Sequence, residues 1–224
     1  MSLRVDLELS VGDSATLHAA LTANPRDTLL ITGANGSGKT TLLRALIGLV
    51  TPLAGELRRD DVLWSSAEGA VTPSQQRGFG YAPQTPTLFR DRSVLWNVAL
   101  GARCQGQSTR AATETAHRWG DALGLHALHH QRADRLSGGE AARTSLARAL
   151  ASSPRHLALD EPLAHIGEEA RTEIVRVLEK FINEHEGPHF IVTHHPSWFA
   201  ALHPRILRIE RNTIVEDPGD ASAA

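Results

Sequence analysis

The chain has 224 residues, with 23 Lys+Arg against 25 Asp+Glu for a formal net charge of -2, and it is 41% hydrophobic and 21% charged. At about 150 residues per domain, this length predicts one large domain or a core with a subdomain, able to bury a sizeable interior. The even charge balance excludes a broad basic field for nucleic acid, the apolar content excludes wholesale disorder, and the lone Cys104 excludes a disulfide framework or a CxxC metal site.

Leu3, Val5, Leu7 and Leu9 alternate with charged residues, the period-2 pattern of a half-buried strand. The apolar run Leu29-Leu30-Ile31-Thr32 then meets a glycine loop, Gly33 to Gly38, and a leucine-rich helical stretch follows from Lys39 to about Val50. Residues 51–80 carry scattered Gly, Pro and Ser between short apolar pieces and read as strands and turns. From about Pro86 to Leu136 the pattern is helical, and it resumes after Gly139. His156-Leu157-Ala158-Leu159 and Phe190-Ile191-Val192-Thr193 read as buried parallel strands, bridged by a helix bearing Ile174, Leu178, Phe181 and Ile182. Arg205–Glu216 suggests a terminal hairpin turning at Arg211-Asn212, and the small polar residues 217–224 read as a frayed end. No apolar run approaches the ~20 residues of a membrane-spanning helix, and the opening MSLRVDLELS lacks the apolar core of a signal peptide. With a single thiol, a cytoplasmic chain is expected.

Gly33-Ala34-Asn35-Gly36-Ser37-Gly38-Lys39-Thr40 satisfies GxxxxGK[ST] without mismatch. Glycines let successive backbone N–H groups curl around phosphate oxygens, Lys39 reaches the β- and γ-phosphates, and the Thr40 hydroxyl sits on Mg²⁺. The helix that follows adds the positive end of its dipole. The fold class expected is therefore α/β: a P-loop NTPase core with a parallel-rich sheet, an antiparallel β piece and an inserted helical subdomain. Residues 1–224 read as one nucleotide-binding domain, with the core at about 1–84 and 151–216 and the helical subdomain at about 85–150.

Two later features choose among P-loop proteins. Leu136-Ser137-Gly138-Gly139-Glu140 opens a helix and would build a second phosphate site from backbone N–H groups. Because one nucleotide has one γ-phosphate, such a site makes sense for a nucleotide held by another copy of the chain. The apolar strand before Asp160-Glu161-Pro162 ends in two carboxylates, placing Asp160 beside Mg²⁺ and Glu161 where it can polarise an attacking water.

With these pieces assembled, the chain resembles the ATP-binding cassette family, the ATPase subunits of ABC transporters. The resemblance rests on GANGSGKTT at 33–41, YAPQ at 81–84, LSGGE at 136–140, HLALDEPLA at 156–164 and IVTHH at 191–195, in the family's order. It implies ATP and Mg²⁺ as ligands. Gly33, Asn35, Gly36, Ser37, Gly38, Lys39, Thr40 and Thr41 would bind nucleotide, and Thr40, Gln84 and Asp160 would hold the metal. Glu161 matches the catalytic carboxylate and His194 the switch histidine on the γ-phosphate, while Gln84 relays nucleotide state to the helical subdomain. Ser137, Gly138 and Gly139 would close over ATP on the opposite protomer of a dimer, and the charge balance leaves nucleic acid out of the expected partners.

Three departures from the family pattern stand out. Glu140 replaces the usual glutamine at the end of the signature, and a carboxylate there weakens attraction to a nearby phosphate. Gly167 stands where the family has an aspartate at the dimer seam. No aromatic residue precedes Trp64, so adenine lacks its usual stacking ring and is expected to be held more weakly, or by aliphatic residues near Val11 or by His18.

The stretch 87–98, with Phe89 and Trp96, matches the groove that receives a membrane subunit in the family, although both rings could instead fill the subdomain core. VTPSQQRGFGYAPQ, TLFRDRSVLWNVALG and DEPLA are similar to molybdate and related oxyanion importer ATPases, whose extra C-terminal regulatory domain is expected to be absent here. ITGANGSGKTTLLRALIGL is also similar to the haem-export and cytochrome c maturation group, and a soluble assembly or regulatory ATPase is the remaining alternative. The partners implied are a second ABC subunit, forming a homodimer, and an integral membrane permease. The location implied is the cytoplasmic face of the cell membrane. His126, His129 and His130 read as a solvated loop, with no further residue to complete a metal site.

Overall fold

The computed structural model describes residues 2–12 and 15–217; of the frayed end expected at 217–224, Asp217 still pairs with Ile206, and 218–224 lies outside the described residues. The chain runs β1 (Leu3–Val11), β2 (Ala15–Ala23), β3 (Thr28–Gly33), α1 (Lys39–Leu46), β4 (Ala54–Arg59), β5 (Val62–Ser66), β6 (Gly69–Ala70) and β7 (Phe79–Ala82). It continues with α2 (Val94–Cys104), α3 (Thr109–Ala122), α4 (Gly138–Ala151), β8 (His156–Asp160), α5 (Glu168–Glu184), β9 (His189–Val192), β10 (Arg205–Glu210) and β11 (Thr213–Asp217). All strands join one sheet in the order β6-β5-β4-β1-β2-β11-β10-β3-β9-β8-β7. The fold is α/β with a mixed sheet: β10, β3, β9, β8 and β7 are mutually parallel, and β1, β2, β4, β5 and β6 pair antiparallel.

The parallel strands are buried from end to end, which is why their sequences are nearly unbroken apolar runs. Side chains still alternate between the two faces. Leu29 and Ile31 of β3, Ala158 of β8, and Phe190 and Val192 of β9 pack into a cluster with α1, β1 and Trp64. Leu30, Leu157, Leu159 and Ile191 point the other way, into a cluster built with α2, α3, α4 and α5. β1 shows the strict alternation of its sequence, with Leu3, Val5, Leu7 and Leu9 buried.

α2, α3 and α4 begin at serines. Ser93 accepts a hydrogen bond from the Trp96 N–H (3.2 Å), and Ser108 accepts one from the Ala111 N–H (3.3 Å). The helical pattern that starts at Pro86 in sequence thus becomes regular helix only from Val94. α1 ends at Leu46, short of Val50, because Gly48 turns the backbone at φ 81° and the Leu49 N–H closes the turn on the Arg44 carbonyl (2.8 Å).

Since β3, β8 and β9 run parallel, their C-terminal ends meet at one edge of the sheet. The register places Ile31 and Asp160 on either side of Val192. The phosphate loop, the acidic pair and His194 all follow from that edge, the usual place for a ligand crevice in such sheets.

Candidate functional site

The phosphate loop leaves β3 through glycines with positive φ: Gly33 at 144°, Gly36 at 75° and Gly38 at 100°. A Cβ on Gly33 would lie 2.9 Å from Ser37 Oγ and 3.0 Å from the Ile209 carbonyl, so only glycine fits that corner. Lys39, the first residue of α1, folds back and donates to the Gly33 carbonyl (2.9 Å) and the Ala34 carbonyl (2.8 Å). Burial pushes its ammonium pKa down, against the pull of Glu161 and Asp160.

Thr40 Oγ1 donates to Asp160 Oδ2 at 2.8 Å, joining the loop helix to the end of β8. Asp160 is 2% exposed, its Oδ1 is buried without a hydrogen bond, and burial raises its pKa. Glu161 follows in the left-handed region at φ 50°, anchored by its N–H on the Val192 carbonyl (3.0 Å). Its side chain is 7% exposed, Oε1 has no hydrogen bond, and His194 Nε2 stands 3.5 Å from that oxygen. Burial raises the Glu161 pKa, with His194 pulling it back.

Asn35, Gly36, Ser37, Gly38, Lys39, Thr40, Thr41, Gln84, Asp160, Glu161 and His194 line one cleft of about 330 Å³. The structure thereby brings together nearly all the residues expected at a nucleotide, with Gly33 just behind as the carbonyl that Lys39 holds. A hydroxyl, a buried carboxylate with a spare oxygen and an amide are hard oxygen donors that suit Mg²⁺. The donor set therefore fits the metal expected there. Val11 reaches the cleft, touching the position a Gly38 Cβ would take, whereas His18 is turned to Glu8 (3.4 Å) on the sheet surface and does not line it.

Ser137, Gly138 and Gly139 are not in that cleft. They border a separate groove with His165, Ile166 and Gly167. A Cβ on Gly139 would lie 2.7 Å from the His165 carbonyl, so glycine lets the start of α4 approach the segment after Glu161. Ser137 caps α4 by accepting from the Glu140 N–H (3.3 Å), while its own N–H and O–H both donate to Glu140 Oε2 at 2.8 Å. These bonds hold the Glu140 carboxyl below its usual pKa.

Two features were not foreseen. Arg77 is fully buried, and its guanidinium spans α1, β5 and the turn before β7. The histidine segment is also not a simple solvated loop: His129 is 5% exposed and meets Asp121, the partner that the sequence reading lacked. Phe89 and Trp96 pair edge to face at 5.1 Å, with Phe89 50% exposed, so neither ring fills the subdomain core.

A glycine loop at a β-strand end, a lysine and threonine opening the next helix, and an acidic pair on a neighbouring parallel strand define a P-loop nucleotide-binding protein of the α/β class. The ABC transporter family model matches residues 17–164, and the chain belongs to that family. It is 35% identical over 199 residues to the molybdenum import ATP-binding protein ModC of Methylococcus capsulatus, covering 89% of this chain and 55% of the relative. It is 34% identical to ModC of Hahella chejuensis, covering 91% of this chain and 54% of that one. The chain thus spans about half the length of the curated relatives it matches. In fold it is similar to the ATP-binding cassette MJ0796, solved as a dimer bound to ADP and Pi, with a TM-score of 0.84, 21% identity and coverage of 97% and 98% of the two chains. Among the described residues, no helix is long and apolar enough to cross a membrane.

Proposed function

We propose that this chain binds and hydrolyses ATP and so energises an ABC importer of the molybdate or oxyanion type. One observation carries the reading: a single cleft holds Lys39, the Thr40–Asp160 pair, and a buried Glu161 carboxylate facing His194. On ATP binding, Lys39 exchanges the Gly33 and Ala34 carbonyls for the β- and γ-phosphates, and the loop N–H groups cradle the same oxygens. Thr40, Asp160 and Gln84 would hold Mg²⁺, which would neutralise charge on the transferring phosphoryl group. Glu161, with its raised pKa, takes a proton from the attacking water, and His194 donates a hydrogen bond to the γ-phosphate.

The chain works as one nucleotide-binding unit, with the core at about 1–84 and 151–216 and the helical subdomain at about 85–150. Its separate groove at Ser137, Gly138 and Gly139 supplies phosphate donors to ATP on a second copy, as a homodimer with two sandwiched nucleotides. The exposed Phe89 beside Trp96 receives an integral membrane permease, which places the dimer on the cytoplasmic face of the membrane. The molybdate reading is supported by the relatives at 35% and 34% identity, which are molybdenum import ATP-binding proteins.

The test is affinity capture of the protein from detergent-solubilised membranes of its native host, with partners identified by mass spectrometry. A polytopic membrane protein in stoichiometric amount is the expected result. Soluble partners alone, with membranes efficiently extracted, would overturn the transport reading in favour of a soluble ABC ATPase.

A further inference from the structure

Asp121 lies in the last turn of α3, at the negative end of the helix dipole, where a carboxylate is disfavoured and no basic residue accompanies it. Its Oδ1 instead faces two imidazoles, His126 Nδ1 at 3.2 Å and His129 Nε2 at 3.3 Å. All three donor atoms lie within 4.8 Å of one another. His126 is 85% exposed, whereas His129 is 5% exposed and its Nε2, aimed into the cluster, makes no hydrogen bond of acceptable geometry. Room for that nitrogen is kept by Gly120, since a Cβ there would lie 2.7 Å from His129 Nε2.

The two separations from the carboxylate are those of neighbouring ligands in a coordination sphere. Zinc bonds of about 2.0–2.2 Å to imidazole nitrogen and carboxylate oxygen set donor separations of about 3.3–3.5 Å around a tetrahedral ion. Hydrogen bonding alone satisfies the cluster less well, because one carboxylate oxygen must serve both rings and the buried Nε2 stays poorly aligned. His117 Nδ1 stands 3.1 Å from His129 Nδ1, and the tautomer in which His129 donates across this contact leaves its Nε2 lone pair free for a metal.

We propose that Asp121, His126 and His129 form a binding site for a divalent transition metal, with Zn²⁺ the best match to two imidazoles, one carboxylate and an open position for water. His117 orients His129 from behind. The ion would tie the end of α3 to the turn at 126–129. Arg143 of α4 already holds that corner through the Leu123 carbonyl (3.2 Å) and the Gly124 carbonyl (3.0 Å), so occupancy would stiffen the segment leading to Ser137.

The experiment uses untagged, chelator-stripped protein without nucleotide, titrated with Zn²⁺ by calorimetry and with Co²⁺ by visible absorption. The expected result is one ion per chain and the intense bands of tetrahedral cobalt. His126→Ala and Asp121→Asn, both at exposed positions, should each weaken binding at least about tenfold. Their thermal unfolding without metal should match wild type, while the metal-induced rise in Tm should disappear. Gly120→Ala, which removes no ligand, should also weaken binding by displacing the His129 ring. Absence of stoichiometric binding would overturn the proposal, as would binding unchanged in both ligand variants, which would place the ion elsewhere.

Discussion

Arg77 is the perturbation whose size follows most directly from the structure. Its guanidinium is 0% exposed and has no carboxylate partner among its hydrogen bonds. It donates to the Thr72, Ala45, Leu46 and Trp64 carbonyls at 2.9, 3.2, 2.9 and 2.9 Å, and to Ser65 Oγ at 2.7 Å. Ala45 and Leu46 close the C-terminal end of α1, where a cation also complements the dipole. Arg77→Met leaves five acceptors short of a donor, at about 1 kcal/mol or more each. Relief of the buried charge works the other way: burial lowers the Arg77 pKa to about 10 from 12.5, equivalent to about 3 kcal/mol. Lost bonds win by about 2–4 kcal/mol. For a chain of this size that lowers Tm by about 5–15 °C, measured by calorimetry together with urea unfolding. Because α1 begins at Lys39 and Thr40, KM for ATP should rise too, and Arg77→Lys should recover part of both effects. A loss below about 1 kcal/mol would show that water replaces the guanidinium at little cost and would refute the reasoning.

Other outcomes test the cleft and the groove. Glu161→Gln should lower kcat by at least about 100-fold while stable ATP-bound dimers accumulate on size exclusion, since general-base catalysis contributes about 10²–10⁴; unimpaired turnover would remove Glu161 from its role. Glu140→Gln removes the charge that engages both donors of Ser137. It should cost about 0.5–1 kcal/mol of helix stability yet tighten the ATP-dependent dimer, and an unchanged dimer constant would separate Glu140 from the nucleotide. His156 and His189 are buried, with pKa values lowered to about 4 and about 3 by desolvation. The unfolded chain then binds more protons than the folded one below about pH 6.5, so stability is flat above pH 7 and falls as pH drops. The slope approaches about 2.7 kcal/mol per pH unit for two protons, moderated by Asp160 and Glu161, whose raised pKa values act in the opposite sense. Urea unfolding at pH 7.5, 6 and 5 checks this, and equal stability at all three would contradict it.

What the sequence made legible was set by locality. The glycine loop, the apolar strands and the capping serines each write their geometry within a few residues, so β3, α1, β8 and the cleft around Lys39 could be read before the fold was known. Arg77 could not, because its acceptors on Ala45, Leu46 and Trp64 come from segments that meet only through the sheet. Its one local trace is Gly48, where a Cβ would lie 2.7 Å from the guanidinium carbon. Asp121 and His129 escaped for a related reason. The chain turns back after α3 through Gly124, at φ 68°, and a turn of that kind leaves no periodicity from which two residues on either side can be paired. His18 and Val11 belong to neighbouring strands and looked equally close to the loop; pleating sends only Val11 into the cleft.

Two of the three departures from the family pattern fall together, apart from the missing adenine ring. Lys39, Thr40, Asp160, Glu161 and His194 share the cleft and keep the expected residue types, whereas Glu140 and Gly167 both border the second groove. Gly167 leaves open space at its Cβ position and caps α5 without a side chain, so nothing there resists an aspartate sterically. Glu140, by contrast, takes both Ser137 donors on Oε2, and Ser137 must give up a charge-assisted hydrogen bond before its hydroxyl can turn to a phosphate. Under the proposed dimer, the energetic effect of these two positions therefore lies in closure over the partner's nucleotide rather than in cleavage within the chain's own cleft.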